Sequence, residues 1–518
     1  MNLTRRALLG GAAAIAALAH LTPAALAQGS KVMVLASAVD IPNFDPHVAT
    51  GYAPAMLFRN VYDPLVRVSG NPPEIQPGLA SEWALSDDGL TYTFTLDPDA
   101  VFHDGSSVTA EDVVWSIERI LRLQRGNAWM IEGIVEPGAT RALDERTVEF
   151  TLTKPYAPFL QVMIWMFIVN KDAVEPHLAD DDGQAWLMSN IAGSGPFTMG
   201  RYQTGNLYQL MRAENDWHPG GGNLDGAIWK ITRETSTQRL MVARGEAHMA
   251  MDLSAEDMKA LDGTDGVDLI YETEYRTFSI KMNTQDGPLQ DVNLRRAISY
   301  AYDYDAMLAA AGPAELMTGP LPTGILGFDP ELEVPRRDIE KAREYLAKSE
   351  YAEGGFTLTA RYASGYENMR RWALILLESL KELNISLDIQ PTAWPDIVSS
   401  VARPETAPDF HFIFQTANYA DPDNIAYAAY HSSRNGTWQN PTYGNPEVDT
   451  LIEQARGEID AEARAEIYGE FQRAVVADAP DLFGVLEKRK LALRDNVRNF
   501  VFTPVAANAV ELLPLSLD

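Results

Sequence analysis

The chain has 518 residues and carries 42 Lys and Arg against 72 Asp and Glu, a formal net charge of -30. A surface that acidic repels phosphate backbones, which argues against a nucleic-acid partner, and the length exceeds one core, so two or three lobes are expected. There is no cysteine, which excludes disulfides, thiolate metal sites, a cysteine nucleophile and a lipid anchor built on a cysteine at a cleavage site.

Residues 1–27 read as an export signal. Thr4-Arg5-Arg6-Ala7-Leu8-Leu9 is a twin-arginine pattern, a mild apolar run follows to Leu21, and Ala25-Leu26-Ala27 is a small-x-small cleavage site. An ordinary secretory signal also fits, and either route ends outside the cytoplasm. Gln28 would open the mature chain, and losing Arg5 and Arg6 moves the net charge from -30 to -32. No later run reaches the ~20 apolar residues that span a bilayer. The best, residues 159–169, is interrupted by Gln161 and reads as a buried strand or core segment. The mature chain is therefore expected free in a periplasm.

Residues 31–36 (KVMVLA) form a short apolar strand, Asn43-Phe44-Asp45-Pro46 a turn, and residues 55–62 a helix. From Thr91 to Leu96 hydroxyl and apolar residues alternate, the period of a strand with one buried face. Asp87-Asp88-Gly89 before it is a hairpin-type turn, and Asp97-Pro98-Asp99 ends it, since proline cannot donate to a ladder. Thr109 with Asp112 three residues on approximates a capping box, and Val113, Val114, Ile117, Ile120 and Leu121 follow at helical spacing. Residues 147–152 are another alternating strand, and Gly193-Ser194-Gly195-Pro196-Phe197 is a turn entering a strand.

Residues 235–243 predict a helix and 248–253 a buried strand. After a strand ending near Asn283, Leu294, Ala297, Ile298, Ala301 and Tyr302 share one helix face. Residues 313–335 are rich in Pro and Gly and predict an irregular loop; 339–347 are helical. A strand at 356–362 precedes an amphipathic helix marked by Met369, Trp372, Ala373, Leu376, Leu380 and Leu383. Asn384 can cap it, and Ile385, Leu387 and Ile389 then alternate, which gives a βαβ layer. Residues 460–479 predict a helix stopped by Pro480, followed by a return strand at 483–486.

Motifs for chemistry are scarce. Eight histidines form no paired-His helix pattern, and Asp180-Asp181-Asp182-Gly183 lacks the spacing of a calcium loop. The glycines at 220–222 lack nucleotide-binding spacing, there is no Walker motif, and Gly193-Ser194-Gly195 does not make a nucleophile elbow. No cofactor and no metal site are expected. Two carboxylates could still converge for hydrolysis, but nothing singles out a pair.

The order of parts nevertheless resembles a known family. A PGLA-x-x-W run from Pro77 to Trp83, a DG-x-TYTF-x-L strand from Asp88 to Leu96, an FHDG turn at 102–105 and a T-A-E-D-V helix start at Thr109 look like the family 5 extracellular solute-binding proteins, receptors for dipeptides, oligopeptides and nickel in ABC importers. The resemblance implies an α/β, two-lobed periplasmic binding protein of class II, cluster C, with an extra domain on the first lobe. The first lobe is then expected from 28–68, 193–282 and 489–518, the extra domain from 69–192, and the second lobe from 283–488. A two-stranded hinge would join the lobes. Nickel members bind chelated metal partly through His, and no such cluster stands here.

Residues 414–424, FQTANYADPDN, cluster aromatic, amide and acid side chains between a strand and a helix. Asp421-Pro422-Asp423-Asn424 reads as a structural turn, with Asp423 or Asn424 capping the next helix, while Gln415, Asn418 and Tyr419 are candidates to face ligand. Dipeptide receptors carry an Asp at the position of Asn418, where it pairs with the ligand's α-amino group. They carry an Arg at the position of Ala363 for its carboxylate; Arg361 is two residues away and could substitute. Both anchors are missing, which argues against free dipeptides. The same resemblance nominates Thr50, Gly51, Tyr52 and Trp394, with Arg434 and Trp438 in the following loop; for each aromatic, core packing is the competing role.

The expected function is the solute-binding component of an ABC importer, a monomer that catches a peptide-like or other polar solute between its lobes and delivers it to a membrane permease driven by a separate ATPase. An oligosaccharide receptor and a chemoreceptor adaptor are alternatives within the fold. A secreted carbohydrate hydrolase is the alternative outside it, and new reducing ends on oligosaccharides would mark that case.

Overall fold

A computed structural model describes residues 30–505 and 510–518. The expected export signal and its cleavage site lie outside the described residues.

One eleven-stranded sheet runs through the molecule. Its order is Phe197–Gln203, Leu207–Arg212, Gly226–Ile231, Val32–Ser37, Met249–Ala250, Asp481–Arg494, Val267–Met282, Phe410–Thr416, Thr357–Ala363, Ser386–Thr392, with Ala314–Leu316 also against Asp481–Arg494. Each flank contains a parallel pair, Val32–Ser37 with Gly226–Ile231 and Thr357–Ala363 with Ser386–Thr392. Parallel neighbours need a crossover. For the second pair it is helix Glu367–Lys381, which buries Met369, Trp372, Ala373, Leu376 and Leu380. The chain leaves that helix through Asn384 at φ +57°, a conformation Asn tolerates better than most residues.

The central strands, Val267–Met282 and Asp481–Arg494, are antiparallel and serve both halves. Val267 and Leu269 pack with Val34, Met258 and Ala492. Phe278, Ile280, Met282, Leu482 and Val485 pack instead with Leu294, Trp372, Leu376 and Phe412. The ladder pairs Thr273 with Lys488 and Thr277 with Leu486, so residues 274–276 oppose Glu487 alone. Such an extra-residue bulge interrupts pairing and sharpens the local bend. The two cores thus part inside the strands, at 274–276 and 487. The sequence places the first crossing later, at 282–283. Phe278, Ile280 and Met282 already belong to the second core, and alternation along a strand cannot say which core its buried face meets. The return strand, expected at 483–486, extends much further for the same reason.

The segment after Ser69 builds an antiparallel sheet in the order Ala80–Leu85, Thr91–Leu96, Thr147–Leu152, Val135–Ala142. Helix Ala110–Leu123 covers it, burying Val113, Ile117 and Ile120. Its capping box forms: the Asp112 N–H donates to Thr109 Oγ1 at 3.4 Å and the Thr109 N–H to Asp112 Oδ2 at 3.0 Å. Of the two expectations for residues 159–169, a buried strand or a core segment, the second holds: nearly all of them are buried. They form helix Phe159–Met163 and the two-residue strand Phe167–Ile168, because a run apolar on every side carries no period to decide between them. The expected strand at 248–253 shrinks to Met249–Ala250.

Helix Ala110–Leu123 is tied to the N-terminal segment by a fully buried ion pair. Arg119 donates to both oxygens of Asp45, at 2.9 and 2.7 Å, to His47 Nδ1 at 3.0 Å and to the Asp182 carbonyl at 2.8 Å. His47 Nε2 donates to the Phe167 carbonyl at 2.8 Å. Burial, reinforced by the neighbouring Arg119 charge, pulls the His47 pKa down to about 4, and burial does the same to His411. Both imidazoles are neutral in the folded protein at neutral pH.

Two outcomes follow from these groups. Arg119→Met leaves the Asp45 carboxylate buried without its partner and is expected to cost about 3–5 kcal/mol, read as a lower urea midpoint; an unchanged midpoint contradicts it. Unfolded histidines take up protons near pH ~6.5, whereas the two buried ones resist down to about pH 4. The unfolded state therefore binds more protons in that window, and stability falls as pH drops through it. Urea midpoints that stay flat between pH ~5 and ~7 would be inconsistent with this.

Candidate functional site

A cavity of about 860 Å³ opens between the two halves above the strand break. That is enough for a ligand well beyond a single amino acid. Each part of the fold supplies a wall. Thr50 and Gly51 come from the loop before helix Tyr52–Val61; Asn127, Trp129 and Trp165 come from the extra domain. Glu274, Arg276 and Arg489 rise from the central strands, with Asp252 beside them. The far wall holds Tyr366, Thr416, Asn418, Arg434, Trp438 and Gln439. A smaller cavity of about 230 Å³ shares Asp252, Glu274, Arg276 and Arg489 and continues along the strands.

Charge is arranged across the strand break. Arg276 Nη1 lies 3.6 Å from Glu487 Oε2, and Arg489 Nη1 lies 3.7 Å from Glu274 Oε1. Arg276 also sits over the Phe414 ring, 4.3 Å from its centroid. Burial draws the Arg489 pKa down to about 10, so it keeps its charge at neutral pH. Asp252 Oδ2 accepts from Ser37 Oγ at 3.0 Å and from the Ala38 N–H at 2.7 Å.

The candidate residues separate into three groups. Thr50, Gly51, Asn418, Arg434 and Trp438 line the cavity. Gly51 has φ +104°, which favours glycine there. The Asn418 backbone is pinned on both sides: its N–H donates to Asn424 Oδ1 at 3.0 Å and its carbonyl accepts from Trp165 Nε1 at 2.8 Å. Trp394 is 41% exposed and stands edge-on to Trp438, with ring centroids 5.6 Å apart, so it braces a wall residue from the rim. Tyr52 begins the helix, and its side chain is outside the described residues.

Gln415 and Tyr419 do not line the cavity, contrary to expectation. Gln415 is buried and donates from Nε2 to the Gln439 carbonyl at 3.1 Å, holding a wall residue from behind. Tyr419 is buried, and its hydroxyl donates to Asp423 Oδ2 at 3.0 Å. The Tyr156 hydroxyl meets the same oxygen at 2.8 Å, and Arg456 Nε lies 3.0 Å from Asp423 Oδ1. A phenol beside a buried carboxylate is worth more there than facing solvent. The Asp421 carboxylate takes two hydrogen bonds from Arg464 at 2.6 and 2.7 Å, so this turn is structural. Helix Asp423–Tyr430 has no side-chain cap at its start, against the expected capping by Asp423 or Asn424. Ala363 is buried in its strand, and Arg361 donates to Gln390 Oε1 at 3.2 Å rather than reaching the cavity.

Sequence reasoning missed Trp129, Trp165, Asp252, Glu274, Arg276, Tyr366 and Arg489. A faint signal existed for some. Trp165 interrupts an apolar run with an indole N–H that needs an acceptor, and Arg276 is a charge two residues before a buried Phe. Among the described residues no group of three or more His, Cys, Asp or Glu is placed to hold a metal, and no helix is long and apolar enough to cross a membrane.

Comparison with known proteins agrees with this architecture. The sequence model of the bacterial extracellular solute-binding proteins, family 5 Middle, matches residues 74–437. The chain is 30% identical over 495 residues to the probable D,D-dipeptide-binding periplasmic protein DdpA of Escherichia coli (strain K12), covering 94% of both. It is 26% identical over 492 residues to heme-binding protein A of Haemophilus influenzae, covering 89% of both. The solved structure of HbpA2 from Haemophilus parasuis is similar with a TM-score of 0.84 at 23% identity, over 94% of this chain and 100% of that one.

Proposed function

We infer, since the chain belongs to the bacterial extracellular solute-binding proteins of family 5, that its two halves close on a solute and release it unaltered to a membrane permease. The chain is the periplasmic solute-binding component of an ABC importer. The observation that carries the reading is the cavity of about 860 Å³ set over the break in the two central strands. A bulge between two continuous ladders lets one half rotate against the other while the pairing on each side persists. Ligand that touches both walls favours the closed form by its differential affinity for that form.

The family's members are receptors rather than enzymes, and we extend this to the chain itself as lacking catalysis of its own. Of the carboxylates in the cavity wall, Glu274 faces Arg489 and Asp252 is engaged by Ser37 and Ala38. Both carboxylates are thus already engaged within the protein, which favours the receptor over a hydrolase that needs a free acid.

Cargo cannot be carried over from relatives, because those of similar identity are named for a D,D-dipeptide and for heme. We propose a peptide-like or other polar solute, held between the walls bearing Trp129 and Trp165 on one side and Trp438 on the other. Exported by the twin-arginine route, the receptor would act as a free monomer.

Two measurements test this. Simple free dipeptides are expected to bind poorly, since Asn418 offers no charge to their ammonium group; micromolar calorimetric binding of several of them would refute it. Native mass spectrometry of freshly purified protein identifies a carried solute. Trp394→Ala is expected to weaken its binding about tenfold, or about 1.4 kcal/mol, and unchanged affinity in a folded variant would remove Trp394 from the site.

A further inference from the structure

The cavity wall carries three guanidinium groups, Arg276, Arg434 and Arg489, and two carboxylates, Asp252 and Glu274. Arg276 faces Glu487 and Arg489 faces Glu274. Arg434 differs from both. Among the described residues its side chain has no carboxylate partner and no hydrogen bond, and its Nε is enclosed without an acceptor. Its guanidinium lies 6.0 Å from the centroid of Tyr427, a ring that Arg456 covers at 3.9 Å. Arg456 is neutralised by Asp423 and Glu453; Arg434 is not. In a chain of net charge -30, an unneutralised cation facing the main cavity stands out, because a nearby carboxylate would lower the cost of enclosing it.

The backbone under Arg434 is fixed. Its N–H donates to the His431 carbonyl at 3.0 Å, and its own carbonyl accepts from Thr437 Oγ1 at 2.8 Å. The charge is therefore presented from a set turn, next to Trp438. Asp252, the other charge in the wall without an ionic partner among the described residues, is already hydrogen-bonded within the first half by Ser37 and Ala38.

We infer that the transported solute carries a carboxylate and that Arg434 receives it, a proposal that rests on the receptor reading above. One guanidinium fork matches one planar carboxylate. A phosphate dianion would leave negative charge uncompensated, since the other two guanidinium groups of the wall already face Glu487 and Glu274. Arg434 shares the far wall with Asn418 and Trp438, so the acid end of the solute lies against the second half, beside Trp438.

The test applies to an unidentified cargo. Wild type, Arg434→Gln and Arg434→Lys are equilibrated with one desalted small-molecule fraction of a bacterial extract and separated by gel filtration. Retained solutes are weighed by mass spectrometry before and after esterification with methanol, in which each carboxylate gains one methyl group. The expected result is a solute that takes up methyl, is retained at least about tenfold less by Arg434→Gln, and is partly recovered by Arg434→Lys. Thermal unfolding establishes that each variant is folded, and if Arg434→Gln is not, the lysine variant's reduced retention carries the comparison. A retained solute that gains no methyl, including a phosphate compound, overturns the inference, as does equal retention by the folded glutamine variant. If wild type retains nothing, the receptor reading itself fails.

Discussion

Everything in this molecule depends on two strands that belong to both halves at once. Val267–Met282 and Asp481–Arg494 are paired on each side of residues 274–276; one face of each paired stretch packs into a different core, while Phe483, Leu486, Leu491 and Leu493 on the other face share a third. A ladder buried in a core does not slide, because one residue of slip would turn its apolar face to solvent. Under the proposed closure, rotation of one half against the other falls in the short interval where pairing lapses. That interval carries Glu274, Arg276 and Glu487, with Arg489 two residues on, so the bend and the charges coincide. The cavity opens over this point because it is where the two cores separate.

A second set of contacts closes the cavity from the side. The extra domain reaches the helices of the second half through the Tyr156 hydroxyl on Asp423, the Ala157 N–H on the Arg456 carbonyl at 2.9 Å and the Lys154 pair with Glu453 at 2.7 Å. Trp165 completes the bridge by donating to the Asn418 carbonyl. These bonds differ in weight. The Lys154 pair is exposed and contributes little, whereas the phenol and guanidinium on buried Asp423 would leave an unpaired charge if separated. Tyr419 belongs to this buried group, which is why a residue adjacent to a wall position is itself structural.

The arrangement divides labour between rigid and adaptable surfaces. Tryptophans from two domains supply area with little entropy to lose on binding, and polar groups spread over every wall fix orientation. The backbone of Asn418 is held on both sides, and Gln415 and Trp394 brace Gln439 and Trp438 from outside the wall. Relatives that share the fold are named for unlike cargo, as expected when the scaffold sets the clamp and a few wall side chains set its selectivity.

The amino-acid sequence alone determined the local elements whose chemistry is short-range: the Thr109–Asp112 capping box, the alternating strands at 91–96 and 147–152, the helix carrying Trp372 and Leu376, and its exit at Asn384. Through the motifs at 77–113 it also pointed to the family, and so to two lobes around a cleft. Only the tertiary structure decided which core owns each end of a central strand, and which polar residues near Asn418 face the cavity. Those choices rest on contacts between residues such as Tyr156 and Asp423, or Arg489 and Glu274, that lie more than two hundred positions apart. Periodicity reports which face of an element is buried, but the partner on that face is set by chain topology, so Tyr419 and Asn418 looked equivalent until the fold separated them.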